Sequence, residues 1–241
     1  MSFEARGSIV LGATSGIGQR IAHRLARAGS ALLLTYFRSE DRAIELGKSI
    51  DGPTELIQAD VTKKDQLETV LSRAKEHLPA LDLVVNVVGE SHGLSLERTT
   101  YEKWRETIDL NLYGTFLSAQ IFGLHMKQSG GGALVNISSV AGIRPSARGH
   151  DYVAAKAGIF GLTRSLALEL APEVTVNSIA PGWISTDRRP RSMEGHEEIL
   201  SRIPLSRFGT PDDLVDAALL LGKPRGYITG QTIIIDGGYT L

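Results

Sequence analysis

The chain has 241 residues, of which 42% are hydrophobic and 22% charged, and its formal net charge is −1. This is the composition of a globular protein with a sizeable core, and the balanced charge gives no reason to expect nucleic acid or an anionic membrane as a partner. The absence of cysteine excludes disulfides, thiolate metal sites and thiol catalysis, and we expect no metal site of another kind.

Short apolar runs alternate with helical patterns along most of the chain. The predicted strands are Ser8–Leu11, Ala31–Tyr36, Glu55–Gln58, Leu81–Asn86, Ala133–Ile137, Val174–Ser178 and Thr232–Ile235. The predicted helices are Gly16–Ala28, Glu40–Ile50, Lys63–Leu78, Tyr101–Gln128 and Tyr152–Leu170. Continuous apolar strands between crossover helices indicate a parallel sheet covered on both faces. The sequence therefore predicts one α/β domain over residues 1–241, a doubly wound parallel sheet of about seven strands, with a long loop at about 184–207.

A glycine-rich turn, Gly12-Ala-Thr-Ser-Gly16-Ile-Gly18, joins the first strand to the first helix. Glycine lets the backbone approach a pyrophosphate, and the free N–H groups of a helix N-terminus attract its charge. The spacing differs from Gly-x-Gly-x-x-Gly, and Gln19 stands where a Walker A loop requires lysine. Such a turn can also bind nothing, but its place after the first strand of an alternating chain favours dinucleotide binding.

Tyr152 and Lys156 lie four residues apart on a predicted helix, and Tyr152 follows Ser139 by thirteen residues. Positions i and i+4 share one face of a helix, so the phenol and the ammonium can meet. A nearby cation lowers the pKa of a tyrosine from its ordinary value of about 10, which would make Tyr152 a proton donor or acceptor near neutral pH. The same spacing also occurs by chance on amphipathic helices, with the ring half-buried and the lysine solvated.

Several motifs, in order along the whole chain, resemble those of the short-chain dehydrogenase/reductases. They are Gly12, Gly16 and Gly18, Asp60 and Val61, Asn111, Ser139, Tyr152, Lys156, Pro181 and Gly182, and the terminal Thr229–Gln231 and Asp236–Gly238. Within that family the chain is most similar to the 3-oxoacyl-carrier-protein reductases. The resemblance implies a Rossmann fold that binds NAD(P) over the whole chain.

The resemblance also implies catalytic roles. Tyr152 would be the general acid of carbonyl reduction or the base of alcohol oxidation, and Lys156 would lower its pKa and hold the nicotinamide ribose. Ser139 would hydrogen-bond the substrate oxygen, whereas its neighbour Ser138 is expected to be structural. Asn111 would anchor a water leading from Lys156, a role compatible with that of a buried asparagine bonded to backbone in a helix kink.

The same resemblance implies the residues that contact the cofactor. Asp60 and Val61 would flank the adenine, although Asp60 could also cap the following helix. Asn86 and Gly89 would line the adenosine side, and Ile184 and Thr186 would meet the nicotinamide amide and the phosphates. The complete expected set is Gly12, Thr14, Ser15, Gly16, Ile17, Gly18, Arg38, Ser39, Asp60, Val61, Asn86, Gly89, Tyr152, Lys156, Pro181, Gly182, Ile184 and Thr186.

The end of the second strand bears on the choice between NAD and NADP. An acid there would accept the ribose 2′-OH and repel a 2′-phosphate, but the chain reads Tyr36-Phe37-Arg38-Ser39. Arg38 and Ser39 could hold a phosphate, although Arg38 could equally be a solvated charge. We therefore predict a preference for NADP(H), with NAD(H) possible.

Departures from the family pattern bear on the substrate. Asn86-Val-Val-Gly89 stands in place of the family's Asn-Asn-Ala-Gly. Glu173 occupies a position where reductases of carrier-bound substrates often have a basic residue, and this acid argues against an acyl carrier protein as the partner. The expected substrate-facing segments are 90–94, 141–151 and 184–207. The last contains Arg188, Arg189 and Arg191, which could meet an anionic carrier or coenzyme A, or be solvated.

The leading prediction is an NADP(H)-dependent oxidoreductase that reduces a ketone or 3-oxoacyl carbonyl, either free or thioester-linked, to a secondary alcohol. A silent NADP-binding sensor is one alternative, but the intact Asn111, Ser139, Tyr152 and Lys156 argue against it. A Ser–Lys hydrolase using Ser139 is another, but it leaves the glycine loop unexplained. The family is commonly tetrameric, so we expect a homotetramer. No apolar run reaches a membrane span of about 18 residues and no leader pattern opens the chain, so we expect a cytoplasmic protein.

Overall fold

The computed structural model describes residues 6–147, 149–186 and 196–241. Within these residues, seven parallel strands form one sheet in the order β3-β2-β1-β4-β5-β6-β7. The strands are β1 Gly7–Leu11, β2 Ala31–Tyr36, β3 Thr54–Gln58, β4 Leu83–Asn86, β5 Gly132–Ile137, β6 Val174–Pro181 and β7 Thr232–Ile235. The predicted doubly wound parallel sheet is confirmed.

Helices connect the strands and cover both faces of the sheet. They are α1 Gly16–Arg27, α2 Glu40–Lys48, α3 Lys64–His77, α4 Tyr101–Ile108, α5 Gly114–Ser118, α6 Leu124–Gln128, α7 His150–Leu170, α8 His196–Leu200 and α9 Asp212–Leu221. Two π-helical turns, Asp109–Tyr113 and Ala119–Gly123, link α4, α5 and α6 into the long helical stretch predicted for 101–128. None of the helices in the described part of the chain is both long and apolar enough to cross a membrane.

Alternate residues of each strand pack on opposite faces of the sheet, as the period of two in a strand requires. Val10 and Val85 pack on one side with Ile21 of α1 and Leu214 of α9. On the other side lie Ile9 and Val84 of the same strands, together with the following side chains of the α3 to α7 layer: Leu67, Val70, Phe122, Met126 and Leu166. Burial on both faces explains why the strands read as continuous apolar runs.

The ends of some elements differ from those predicted. β6 continues three residues beyond the predicted Ser178 to Pro181, because Ser178 to Pro181 pair in register with β7. α7 begins at His150, two residues before the predicted start. The segment expected to be an irregular loop, 184–207, contains the short helix α8 in its described part.

β1 pairs with β2 on one side and with β4 on the other, so the strand order reverses between β1 and β4. Ligands of open α/β sheets bind at such a switch point, in the crevice outside the carboxyl ends of the strands. The fold therefore directs attention to the residues that follow β1 and β4.

Candidate active site

The glycine turn after β1 is tightly closed. Gly12 adopts a φ of +76°, in the left-handed region that favours glycine. Ser15 is the N-cap of α1: its Oγ accepts a 3.1 Å hydrogen bond from Gly18 N and donates one of 2.9 Å to Gly12 O. A Cβ at Gly18 would lie 2.6 Å from Gly12 O, so no larger residue fits. The turn brings the positive end of α1 to the carboxyl edge of the sheet.

A cleft of about 750 Å³ opens beside this turn, at the carboxyl ends of β1 to β4. Its lining residues are Gly12, Thr14, Ser15, Thr35, Tyr36, Phe37, Arg38, Ser39, Ala59, Asp60, Val61, Thr62, Val87, Val88, Gly89, Glu90, His92, Lys103, Glu106, Thr107, Asp109 and Leu110. A concave site of this size, at the switch point and beside a helix N-terminus, fits a dinucleotide.

Some of the residues expected to bind the cofactor line this cleft. Eight of those residues line it: Gly12, Thr14, Ser15, Arg38, Ser39, Asp60, Val61 and Gly89. The others lie outside its lining: Gly16, Ile17, Gly18, Asn86, Tyr152, Lys156, Pro181, Gly182, Ile184 and Thr186. Thr186 is nevertheless close to the glycine turn, since a Cβ at Gly16 would lie 3.1 Å from its Cγ2. The segment after β6 therefore reaches the start of α1.

Asp60 lines the cleft while its carboxylate closes a turn. Asp60 Oδ1 accepts hydrogen bonds from Thr62 N at 2.9 Å and from Thr62 Oγ1 at 2.8 Å, and Asp60 N donates to Gln66 Oε1 at 2.7 Å. The N-cap of α3 is Lys63, so the carboxylate stabilises the entry to that helix without capping it. The alternative role of Asp60 as the cap of that helix is therefore wrong, whereas its place in the cleft lining is compatible with a contact to the adenine.

Asn86, at the end of β4, is buried and bonded within the protein. Its Nδ2 donates to Thr115 Oγ1 at 3.1 Å, and its Oδ1 accepts a 3.1 Å hydrogen bond from Val88 N. These bonds shape the backbone leading to Gly89, which itself lines the cleft. Asn86 is therefore placed to support the cleft wall from behind.

Arg38 and Ser39 follow β2 at the rim of the cleft. The Arg38 guanidinium lies 5.1 Å from the centroid of the Phe37 ring, a cation–π distance. Ser39 precedes α2, and its hydroxyl caps no backbone N–H of that helix. Among the described residues no carboxylate lies within 4 Å of the Arg38 guanidinium, so its charge is available to a ligand.

Three charged or titratable residues that line the cleft, His92, Lys103 and Glu106, are absent from the expected cofactor-binding set. Lys103 Nζ lies 2.6 Å from Glu106 Oε2, and His92 Nε2 lies 3.7 Å from the same oxygen. The hydrogen bond from Lys103 holds the pKa of Glu106 below its ordinary value. The i, i+3 spacing of Lys103 and Glu106 signals a helix-surface ion pair, but only the packing of α4 brings it to the cleft.

The four expected catalytic residues come from three parts of the chain. Asn111 lies in the first π turn, Ser139 follows β5, and Tyr152 and Lys156 lie on α7. Lys156 Nζ is 5.6 Å from the centroid of the Tyr152 ring and donates a 2.9 Å hydrogen bond to the carbonyl of Ile137, the last residue of β5. The Lys156 side chain thus reaches the end of the strand that precedes Ser139, with the Tyr152 ring beside it.

Lys156 is buried, and burial lowers the pKa of its ammonium to about 7. No carboxylate among the described residues lies within 4 Å of Nζ to offset the desolvation. A buried lysine near neutrality is typical of functional sites, because it changes protonation state easily. The alternative of a solvated lysine is wrong for this position.

Asn111 is fully buried in a π turn, a distortion frequent at functional sites. Its Nδ2 donates two hydrogen bonds of 2.9 Å, to Glu90 O and Thr107 O, while Oδ1 is buried without a hydrogen-bond partner among the described residues. A Cβ at Gly89 would lie 2.7 Å from Asn111 Oδ1 and 2.8 Å from Lys156 Nζ. An orphaned acceptor beside an ammonium fits a hydroxyl-bearing ligand or a water.

The two serines after β5 have different surroundings. Ser138 Oγ is buried and donates a 2.8 Å hydrogen bond to Ile179 O, which is the structural role expected of it. Ser139 Oγ accepts a 3.1 Å hydrogen bond from Ala141 N and so caps the short 3-10 turn Val140–Gly142. That bond orients the Ser139 hydroxyl, whose proton remains available for donation to another oxygen.

The segment after β6 is held by its neighbours. Gly182 N donates a 2.9 Å hydrogen bond to Ile235 O, and a Cβ at Gly182 would lie 2.7 Å from the α-carbon of Asp236. Ile184 forms an isolated bridge with Gly209. The arginines at 188, 189 and 191 lie outside the described residues.

Comparison with known proteins places this site in a family. Residues 12–240 match the family model described as "Enoyl-(Acyl carrier protein) reductase". The chain is 36% identical over 240 residues to an NAD-dependent glycerol dehydrogenase of Listeria innocua, covering 97% of this chain and 93% of that protein. It is also 36% identical over 239 residues to the 3-oxoacyl-[acyl-carrier-protein] reductase FabG of Staphylococcus aureus, covering 97% of each.

Solved structures of similar proteins have the same fold. A short-chain dehydrogenase/reductase from Serratia marcescens superposes with a TM-score of 0.94 at 28% identity and covers 100% of both chains. A dehydrogenase/reductase from Sinorhizobium meliloti gives a TM-score of 0.89 at 31% identity, covering 98% of this chain and 95% of that one. Since the family model and these relatives extend along nearly the whole chain, the protein belongs to the short-chain dehydrogenase/reductase family of oxidoreductases.

Proposed function

We propose that the protein is an NADP(H)-dependent reductase that converts a ketone or 3-oxoacyl carbonyl to a secondary alcohol, reversibly. The observation that carries the proposal is the position of Lys156. Its ammonium lies under the Tyr152 ring and beside the unsatisfied Asn111 Oδ1, next to Gly89 at the wall of the cleft. This arrangement suits proton transfer beside a bound dinucleotide.

The chain's own groups would manage the proton. In reduction, the Tyr152 phenol donates its proton to the carbonyl oxygen, and the Ser139 hydroxyl donates a hydrogen bond to that oxygen as negative charge develops on it. When bound, the nicotinamide supplies hydride to the carbonyl carbon in reduction or accepts it in oxidation. In the reverse direction, Tyr152 takes the hydroxyl proton.

Lys156 supports this transfer through its charge. A cationic Lys156 favours the phenolate of Tyr152 and so lowers the pKa of the phenol. Because burial lowers the pKa of Lys156 itself to about 7, the cation needs acceptors around it. Ile137 O provides one, and Asn111 Oδ1 lies on the same glycine wall. We assign Asn111 the role of completing that shell through a water or a ribose hydroxyl.

The preference for NADP(H) rests on the rim after β2. Arg38 and Ser39 line the cleft, and the run 36–39 contains no acid to repel a 2′-phosphate. The relatives differ: one of them is named as NAD-dependent. The test is kcat/KM for NADPH and NADH with one carbonyl substrate. We expect NADPH to be preferred, and a roughly tenfold preference for NADH would overturn this assignment.

The substrate class is proposed from chemistry and from the relatives. The name of the Staphylococcus reductase supports a 3-oxoacyl thioester, and that of the Listeria enzyme supports a small polyol. The experiment is NADPH consumption with simple ketones, β-ketoesters, 3-oxoacyl thioesters and dihydroxyacetone. Tight NADPH binding without turnover on any of them would favour a sensor. Hydrolysis of an ester without cofactor would favour the Ser–Lys alternative.

We also propose that residues 1–241 form one domain, with 184–207 as its substrate loop, and that it assembles as a cytoplasmic homotetramer. Exposed apolar side chains support assembly: Tyr113 and Phe116 on the α4–α6 stretch, Leu168 on α7, and Ile234 on the edge strand β7. Light scattering coupled to size-exclusion chromatography tests this. A monomer at all concentrations would contradict it.

A further inference from the structure

Arg144 is fixed close to Ser139 by a hydrogen-bonded turn. Ser139 Oγ caps that turn at Ala141 N, and Arg144 N donates a 2.8 Å hydrogen bond to Val140 O. Gly142 presses the turn against α7, since a Cβ there would lie 2.7 Å from Ala157 N. The backbone of Arg144 therefore stands at a defined place, about one turn beyond the proposed catalytic serine.

The Arg144 side chain packs on the C-terminal turn. Its guanidinium lies 4.6 Å from the centroid of the Tyr239 ring, and Nη1 donates a hydrogen bond to Tyr239 O. Trp183 meets the same ring edge-on, with the centroids 6.4 Å apart and an interplanar angle of 81°. Segments that follow β5, β6 and β7 thus converge in a cluster of Arg144, Trp183 and Tyr239.

Hydrogen bonds within the C-terminal turn hold the cluster in place. Asp236 accepts hydrogen bonds of 2.8 Å from Gly238 N, through Oδ1, and from Thr240 N, through Oδ2. These bonds close the C-terminal turn around its own carboxylate, so Tyr239 is presented by rigid backbone. Leu205 N also donates a 3.1 Å hydrogen bond to Gly237 O, which ties the turn to the end of the proposed substrate loop.

The described residues around Arg144 do not neutralise its charge. Other arginines, such as Arg73 with Glu55 and Arg207 with Asp213, are paired at 2.6 and 2.7 Å. By contrast, no carboxylate among the described residues lies within 4 Å of the Arg144 guanidinium. A guanidinium has five N–H donors, and in the described part of the chain only Tyr239 O accepts from this one. Arg144 is an exposed, pre-positioned cation with donors to spare.

We propose that Arg144, held by Tyr239 and Trp183, binds an anionic group on the substrate, a carboxylate or a phosphate that is separate from the reacting carbonyl. An arginine fork suits both anions, because it can donate two parallel hydrogen bonds. The inference rests on the proposed reductase function and sharpens it: the preferred substrates are oxo compounds that carry a negative charge.

The test compares matched substrates and variants. kcat/KM is measured for acetoacetate and for neutral ethyl acetoacetate, with acetoacetyl-CoA against the neutral acetoacetyl N-acetylcysteamine thioester as the phosphate-bearing pair. The variants are Arg144→Met, Arg144→Lys and the control Arg27→Met, which removes an exposed cation at the end of α1. We expect Arg144→Met to lower kcat/KM about 10- to 100-fold for the anionic member of at least one pair. The neutral members should change less than about twofold, Arg144→Lys should retain part of the activity, and Arg27→Met should change nothing.

An equal loss for anionic and neutral substrates would overturn the proposal, because it would mean that Arg144 only holds the C-terminal turn. No change with any substrate would overturn it as well. Calorimetric titration of the NADP⁺-loaded protein with acetoacetate and with coenzyme A separates this inference from the reductase function. Binding that is lost in Arg144→Met without any turnover by the unmodified protein would support the anion site and contradict the reductase. Turnover with equal binding by both proteins would do the reverse.

Discussion

Lys156 and Asn111 bring an ammonium nitrogen and an unsatisfied amide oxygen to the same glycine. A methyl group at Gly89 would lie 2.8 Å from Lys156 Nζ and 2.7 Å from Asn111 Oδ1. Lys156 lies on α7 and Asn111 in a π turn, so the packing of these two helical segments brings both atoms to Gly89. Gly89 lines the cleft, so it is the point at which the residues proposed for proton transfer meet it.

Gly89→Ala should therefore damage the site directly. Real Cβ atoms do not approach other heavy atoms this closely, so Asn111 and Lys156 must both move. We expect kcat/KM to fall at least about tenfold, because displacing catalytic groups by about 1 Å can lower the rate by more than that. Steady-state kinetics with NADPH and the best carbonyl substrate measures this.

The control for that variant is Gly161→Ala, on α7. A Cβ at Gly161 meets nothing within 4 Å, so activity should be retained, and the gain in helix propensity should raise the free energy of unfolding by about 0.5–1 kcal/mol. Full activity in Gly89→Ala would show that the close approach at this residue is not needed for catalysis.

The burial of Lys156 predicts a pH-dependent stability. Its pKa is about 7 in the folded protein and about 10.4 in an unfolded chain, so between these values the unfolded state binds more protons. Stability should therefore rise with pH from about 7 to about 10 in the cofactor-free protein. Lys156→Met lacks this term and should be the more stable protein at pH 6 by several kcal/mol, an advantage that shrinks toward pH 10.

Urea unfolding of Lys156→Met and the unmodified protein, at intervals from pH 6 to 10, checks that prediction. The difference between the two free energies of unfolding is the informative quantity, because other titrating groups cancel in it. A difference that stays constant across this range would contradict a depressed pKa for Lys156.

Sequence reasoning reached the fold through local patterns and the site through motifs. Apolar runs such as Ala31–Tyr36 predicted the strands because both faces of the sheet are buried, and the motif spacing placed Tyr152 with Lys156. A buried Asn111 bonded to backbone in a helix kink was an expected alternative, but its acceptor in another segment, Glu90 O, could not be predicted from the local pattern. Burial of Lys156 was equally hidden, since i, i+4 spacing is the same for a solvated lysine.

Contacts between segments that are distant in the sequence could not be predicted either. Arg144 and Tyr239 are 95 residues apart, and no local pattern signals a cation over that ring. The end of β6 was placed too early for the same kind of reason, because pairing with β7 extends the strand through Ala180 and Pro181, beyond its pairing with β5. Tertiary pairing, more than local propensity, decides such positions.

Asp213 should stabilise the segment that leads into α9. Hydrogen bonding to the Arg207 guanidinium, with further bonds from Thr210 N and Oγ1, holds the pKa of its carboxyl well below the usual range. We expect Asp213→Ala to lower the free energy of unfolding at pH 7 by about 1 kcal/mol, because Arg207 and Thr210 lose the carboxylate to which they donate. Asp216→Ala on the same helix is the control: that side chain is 92% exposed and should change the stability little.

The loss of stability in Asp213→Ala should depend on pH. A depressed folded pKa contributes stability above the unfolded value of about 3.9, and this contribution is lost as the pH falls below it. Chemical denaturation at pH 7 and at pH 3 should therefore show a smaller penalty for Asp213→Ala at the lower pH. An equal or larger penalty at pH 3 would argue against the ion pair.

Arg38→Ala should weaken selection of the phosphorylated cofactor. Loss of one charge-assisted contact to a 2′-phosphate is worth about 10- to 100-fold in kcat/KM for NADPH, while NADH should be little affected. Arg42→Ala, which removes an exposed arginine of α2 outside the cleft lining, is the matched control. Parallel losses for both cofactors in Arg38→Ala would mean that Arg38 does not read the 2′-phosphate.

The proposed mechanism depends most on Tyr152 as proton donor, and Tyr152→Phe tests that role most directly because it removes only the hydroxyl. The measurement is the single-turnover rate of NADPH oxidation with the best carbonyl substrate, alongside the Kd of NADPH from fluorescence titration. We predict a rate about 10²- to 10⁴-fold lower with the Kd changed less than about twofold. A Tyr152→Phe protein that binds NADPH and reduces the carbonyl at the unmodified rate would contradict the mechanism.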